Sequence, residues 1–392
     1  MATSKTDDRR IKVVDFSTHV SGPTASLFLR SVGADVVKVE NERIGDGNRA
    51  VPAAPTIDGH SIYHQALNWG ARSIAADAKG EEWPAWVRAM TRWADVVIIG
   101  GRPSDAKRLG LDRETIAAID PQVIHCHISG YGSAGPWMER AAHGQNPDAL
   151  AGLVDLQVDD DGNPQPIGWR PAGTSFAGVA AAVGILGALW HRSERGVVLN
   201  VETSLWESAI WWNWRELTAE ANLHEEWGRI RDFGSRYATY RTSDGPAVLV
   251  APIEEKFWRA FCDVAGLDEL RETGDWASRY DFGEQAESGP ERTQIGRAIA
   301  EKPLGEWLQL LEPTGVPFCE ILGATDVVNV PQVEAMGMFV PLASSGVAIR
   351  PPVRLTSADE VAFPPDGRLP DLGADTDDFR PLMERELRQE GR

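Results

Sequence analysis

The sequence predicts an α/β protein with a Rossmann-like large domain on a parallel sheet, plus a smaller α/β domain. Two observations lead there. Short β-branched runs alternate with segments of helical length, which is the rhythm of a doubly wound sheet. The chain is also 392 residues long, more than one hydrophobic core usually serves.

The elements follow in order. Ile11 to Phe16 reads as a strand and leads into a polar loop, Ser17 to Pro23. Pro23 suits the first turn of a helix and Gly33 its end. Ala34 to Glu40 is a second strand, and two strands joined by a helix of roughly ten residues imply a parallel βαβ unit. A helix from Glu81 to Trp93 then feeds an apolar strand, Ala94 to Ile99, followed by a short helix (Arg113 to Ala118) and a strand from Gln122 to Ser129.

Ala141 to Leu153 contains a helix, and Asp159 to Pro164 is a turn-rich loop. Ser175 to Trp190 is small, apolar and alanine-rich, so it reads as a buried helix. Val197 to Val201 is the next strand and Ser204 to Ala219 a Trp-rich helix. Ala238 to Val250 forms a hairpin turning at Asp244-Gly245, with helices over Glu255 to Val264 and Arg292 to Leu311. The predicted domains are residues 1–224 with 321–392, and 225–320.

Composition narrows the function. A net charge of -19 repels nucleic acid and anionic membrane, while leaving room for a local anion site of Arg and N–H donors. No apolar run of transmembrane length is read from the sequence, and the polar start lacks a secretory pattern. Three separated cysteines, Cys126, Cys262 and Cys319, fit reduced thiols, so a cytoplasmic location is expected.

Gly130-Tyr131-Gly132-Ser133-Ala134-Gly135 matches G-x-G-x-x-G after a strand, but Pro136 and Trp137 follow where a helix should begin, which argues against a dinucleotide. His125 and His127 share one strand face and have no second pair at metal spacing, so no metal site is expected. Trp206, Trp211, Trp212 and Trp214 fall on one predicted helix, as core, subunit interface or acyl-pocket wall.

Several stretches together resemble the class III CoA-transferases, the carnitine dehydratase and bile-acid-inducible protein family. They are Val14-Asp15-Phe16 through Ser21-Gly22-Pro23, Val32 to Glu40, Leu67 to Asp77, Asp95 to Ile98 with Arg102-Pro103, and Arg108 to Leu111. Ser129 to Gly132 with Gly135-Pro136, Gly184 to Arg192, Gly315-Val316-Pro317 and Pro370 to Gly373 complete the set. The resemblance implies a large domain built from both chain ends and an interlocked dimer, either of two identical chains or with a homologous chain. It implies coenzyme A, as an acyl-CoA substrate, along His19, Val20, Ser21, Ala76, Gly100, Gly101, Arg102 and Arg108, with carboxylic acids as partner substrates. Loop N–H groups near a helix start and Arg side chains suit phosphates.

The family's catalytic aspartate, which attacks the thioester to form a mixed anhydride, has no counterpart here. In the stretch Pro171-Ala172-Gly173-Thr174-Ser175-Phe176-Ala177-Gly178 the matching residue is Thr174, either a nucleophile needing a base or, with Ser175, a helix cap. The α-methylacyl-CoA racemase branch carries a His-Asp pair; here His143 is kept and Gly144 stands in the aspartate's place, with Asp148 one helical turn on. Three readings follow: an acyl-CoA enzyme using His143 as acid or base, a silent CoA-binding subunit, or a transferase whose nucleophile is Asp148 or Asp155.

Overall fold

The computed structural model describes residues 10–390 apart from 53, 167, 169, 224–232, 286–288, 344–345 and 356–366. Val and Ile fill the central strands because branched side chains pack well on a pleated surface buried on both faces. The strands are β1 (Lys12–Asp15), β2 (Asp35–Asn41), β3 (Arg72–Ala76), β4 (Val96–Gly100), β5 (Ile124–Ser129) and β6 (Val201–Ser204). They form one parallel sheet in the order β3-β2-β1-β4-β5-β6. The strand order reverses between β1 and β4, and the crevice outside the carboxyl ends there is the usual ligand position of such sheets.

Helices cover both faces. On one, α3 (Trp83–Trp93), α5 (Arg113–Ile119) and the C-terminal helix Thr376–Glu390 bury Trp86, Met90, Ile116, Phe379 and Met383 against Val14, Val37, Ile74 and Val97. On the other, α1 (Ser21–Ser31) and α7 (Ala172–Arg195) pack Ala25, Leu29, Ala177, Ala181 and Ile185 against Val13, Val36, Ile98 and Cys126. The remaining helices here are α2 (Ile62–Asn68), α4 (Pro103–Arg108), α6 (Gln145–Leu150) and α8 (Leu205–Trp212), after which α9 (Trp214–Leu223) runs past the end of this part of the chain.

Contacts divide the chain into two compact units, one running to Trp214 and resuming at Met336, the other Arg215–Ala335. The second holds an antiparallel sheet of β7 (Ala238–Arg241), β8 (Ala247–Val250) and β9 (Phe318–Glu320). Trp258, Phe261 and Trp307 from α10 (Glu255–Ala265) and α12 (Leu304–Leu311) are fully buried in its core.

Four expectations need correction. The last parallel strand begins at Val201, not Val197, because the residues that reach β5 in register are Val201–Ser204. The Trp-rich segment is two helices: it breaks at Asn213, whose side-chain amide donates to Ala151 O at 2.9 Å. Trp211, Trp212 and Trp214 are consequently exposed rather than core. Pro303 splits the Arg292 to Leu311 segment into α11 (Pro290–Ile299) and α12, as its missing N–H requires.

The fourth concerns α7. It is long and apolar enough to cross a membrane by length and composition, although no such run is read from the sequence. Its Ala177, Ala181, Ala182, Ile185 and Ala188 lie against the sheet, which makes it a core helix. It is not buried all round, since Val183 and Trp190 are exposed.

Candidate functional site

The loop after β1 is held by buried charge. Lys38 lies on β2 and reaches Asp46 at 2.8 Å and Asp15 at 3.4 Å, and donates to Ser17 O at 2.7 Å. Burial opposes the ammonium, but Asp15 and Asp46 outweigh it and raise its pKa. Asp46 in turn accepts from His19 N at 2.9 Å, Thr18 Oγ1 at 3.0 Å and Asn48 N at 2.8 Å. Burial would push its carboxyl up; Lys38 and these donors hold it at about 2.

The result is a loop fixed in an uncommon shape. His19 has φ of +68°, a left-handed conformation that a non-glycine residue keeps only when its surroundings impose it. Its carbonyl accepts from the Asn48 side-chain amide, and its ring packs on Gly47, where a Cβ would lie 2.2 Å from Cε1. Gly22 is required next: a Cβ there would meet Ser17 Oγ at 1.6 Å. The loop therefore delivers Val20 and Ser21 to the start of α1 with free N–H groups pointing along the helix axis.

The β4 loop meets it. Gly100 faces Ser17, with a hypothetical Cβ 3.1 Å from Ser17 Cβ, so His19, Val20, Ser21, Gly100 and Gly101 converge at the switch point. Gly101 has φ of +106°. Arg102 and Arg108 flank α4 at the rim, and both pair with Asp105, at 2.7 and 2.9 Å. Both are exposed. Ala76 ends β3, two strands from β1, and so lies roughly 10 Å away at a strand spacing of about 4.8 Å.

The α7 N-terminus adjoins this crevice. A Cβ on Gly178 would sit 2.4 Å from Ser21 O and 2.5 Å from Thr24 Cβ, so α1 and α7 touch backbone to backbone. Thr174 is one turn before Gly178 on the same buried face. It does not cap the helix as expected, because Pro171 holds the cap position and Thr174 lies within the first turn. Its hydroxyl is buried and has no hydrogen-bond partner, so no base contacts it. The capping contact comes from another element: Asp148 on α6, fully buried, accepts from Gly173 N at 2.8 Å. A negative charge at a helix start is also favoured by the helix dipole. His143 is exposed just before α6, and its N–H donates to Asn146 Oδ1 at 3.0 Å. Asp155 follows α6 in an irregular segment.

The family model for CoA-transferase family III matches residues 9–376. The chain belongs to that family. Among family III relatives, it is 26% identical to the acetyl-CoA:oxalate CoA-transferase of Acetobacter aceti over 353 residues, 89% of each chain. It is 29% identical to the succinate–glutarate CoA-transferase of Agrobacterium fabrum over 357 residues, covering 88% of this chain and 87% of that one. The crystal structure of Rv3272 from Mycobacterium tuberculosis superimposes with a TM-score of 0.80 at 25% identity, covering 94% of this chain and 98% of that one.

As a family III chain, it uses its glycine and histidine motifs structurally. Gly132 and Gly135 take positive φ in a loop that never enters a helix, which removes the dinucleotide reading. His125 and His127 are held by Leu111 O and Gly101 O at 3.0 and 2.9 Å, and no cluster of metal-ligating side chains occurs among the described residues. Sequence reasoning missed the Asp46–Lys38 clamp and the ring cluster of Tyr131, Trp137 and Trp206. Asp46 was visible only as a turn residue between Gly45 and Gly47.

Proposed function

We propose that this family III chain binds a CoA thioester at the β1–β4 switch point and moves or rearranges the acyl group without a mixed anhydride on one of its own carboxylates. One observation carries the reading: the loop after β1 meets the Gly100–Gly101 turn at Ser17 and the start of α7 at the Gly178 contact with Ser21. The donor set suits CoA phosphates, since α1 offers unpaired N–H groups and Arg102 and Arg108 can exchange Asp105 for phosphate.

Thr174 is a poor nucleophile in this setting, because its hydroxyl has no base within hydrogen-bond reach. His143 is the accessible acid–base group. A thioester carbonyl acidifies the adjacent C–H; the imidazole takes that proton as the C–H bond breaks and returns it to carbon, which rearranges the substrate with no group lost. The unpartnered Thr174 hydroxyl also favours a second reading, in which this chain binds CoA silently beside a homologous chain that brings the carboxylate. The exposed apolar residues Val183 and Trp190 on α7, with Trp211 and Trp212 on α8, give such a partner, or a second copy, a surface to cover.

Native mass spectrometry with and without CoA, followed by an acyl-CoA panel on wild type and His143→Ala, tests the proposal. A dimer that takes up CoA and loses turnover in the variant supports it. Undiminished turnover in His143→Ala would sink the acid–base role, and a chain that ignores CoA would sink the site.

A further inference from the structure

Three aromatic rings meet where the β5 loop, the segment 133–140 and the first turn of α8 come together. Tyr131 and Trp137 have ring centroids 5.9 Å apart, Trp137 and Trp206 5.1 Å, and Tyr131 and Trp206 6.5 Å, all edge-on or tilted. The Arg140 guanidinium lies 5.6 Å over Tyr131 and 5.5 Å over Trp137. Tyr131 is 4% exposed and Trp137 36%, so the cluster has a buried floor and an open outer wall.

Packing alone does not account for its chemistry. Tyr131 Oη and Trp206 Nε1 are both buried without a hydrogen-bond partner. Other buried rings meet this need: Trp83, Trp258 and Trp307 donate to the carbonyls of Leu109, Leu270 and Ile299 at 2.8, 2.9 and 2.8 Å, and Tyr240 donates to Ser235 O at 2.5 Å. Phe at 131 would fill the same space without desolvating a hydroxyl, and an indole at 206 carries an N–H that packing alone does not require. Two unsatisfied donors in one ring cluster point to an acceptor that arrives from outside.

The cluster also adjoins the α7 start. Trp206 N donates to Gly130 O at 3.1 Å, and Leu205 O and Ala209 Cβ, beside it on α8, would each lie 2.7 Å from a Cβ on Gly173, the residue before Thr174.

We propose that Tyr131, Trp137, Trp206 and Arg140 form the acyl-group subsite, and that it takes an aromatic acyl group bearing a ring hydroxyl or carboxylate. The inference rests on the CoA-thioester reading above. The rings and the stacked guanidinium supply faces for a planar group. The ring substituent accepts from Tyr131 Oη and Trp206 Nε1, and a small aliphatic acyl group leaves both donors unpaired, which is how a hydrogen-bonding site rejects an analogue that lacks the group.

The test is isothermal titration of the full chain with CoA, acetyl-CoA, benzoyl-CoA and 4-hydroxybenzoyl-CoA. Acetyl-CoA should bind like CoA, benzoyl-CoA about tenfold tighter, and 4-hydroxybenzoyl-CoA tighter again by about five- to tenfold, as one buried hydrogen bond gives. Tyr131→Phe and Trp206→Phe each keep an aromatic face and remove the donor, so each should shrink the hydroxyl's increment while leaving CoA affinity unchanged, which also reports that the variants fold. Equal affinities for all four ligands, or an intact hydroxyl increment in both variants, would overturn the inference while leaving the CoA site standing. No binding of CoA itself would instead remove the thioester reading on which it rests.

Discussion

Thr174 and Asp148 show how the meaning of a side chain depends on a neighbour tens of residues away. Thr174 occupies the place where the family resemblance expects an aspartate, yet its hydroxyl is buried and unpaired. Thr174→Val removes that hydroxyl at nearly constant shape, so stability should rise by about 0.5–1 kcal/mol in urea denaturation. Turnover of any acyl-CoA substrate should not change; a loss would make the hydroxyl a participant. Asp148 works the other way. Asp148→Ala leaves Gly173 N–H buried without its acceptor and should cost about 1–3 kcal/mol, with Asp148→Asn losing less because it keeps an oxygen in place. An Ala variant as stable as wild type would show that the cap is dispensable.

At the scale of elements, the α1–α7 contact decides whether the crevice exists. Gly178 lets α7 approach the first turn of α1 with no side chain between them. Gly178→Ala places a methyl against main chain and Thr24, which cannot yield as a flexible side chain would, so the helices have to separate. We expect a loss of about 1–3 kcal/mol, in line with core overpacking, and a weaker grip on CoA because Ser21 moves with α1. Unfolding in urea and CoA titration measured on the same variant separate the two effects; intact CoA affinity would mean that the loop is held by Asp46 and Lys38 alone.

Across the whole molecule, buried charge ties the chain ends to the site. Arg49 grips Glu40 at 2.6 Å and donates to Pro370 O at 3.2 Å, while Ser73 accepts from Gly373 N at 2.9 Å. His64 on α2 is fully buried near this network, and burial, with Arg49 second, pushes its pKa down to about 4 from the ordinary 6.5. Between those values the unfolded chain binds a proton that the folded chain refuses. Stability from this group is therefore present above about pH 6.5 and is lost as pH falls toward about 4, by roughly 3 kcal/mol at about 1.4 kcal/mol per unit. Denaturation midpoints at pH 7 and pH 4.5 should drop steeply in wild type and less in His64→Leu. Equal slopes would assign the loss to other groups.

The alternation of apolar runs with helical segments was enough to foretell the parallel sheet, both of its early βαβ strands and the hairpin at Asp244-Gly245, because each rests on periodicity and turn chemistry within a few residues. The family's motifs likewise marked the loops at the ends of β1 and β4 before any contact was visible. The break at Asn213, the start of β6 and the exposure of Trp211 and Trp212 were not legible, since each depends on partners such as Ala151 and Cys126 far along the chain. The same holds for the site. That Thr174 stands where the resemblance expects a carboxylate can be read in one dimension. That Asp148 caps the helix behind it, and that Tyr131 and Trp206 lie buried with nothing to donate to, was decided only by the tertiary structure, because a hydrogen bond is a matter of angstroms between groups that the chain order keeps apart.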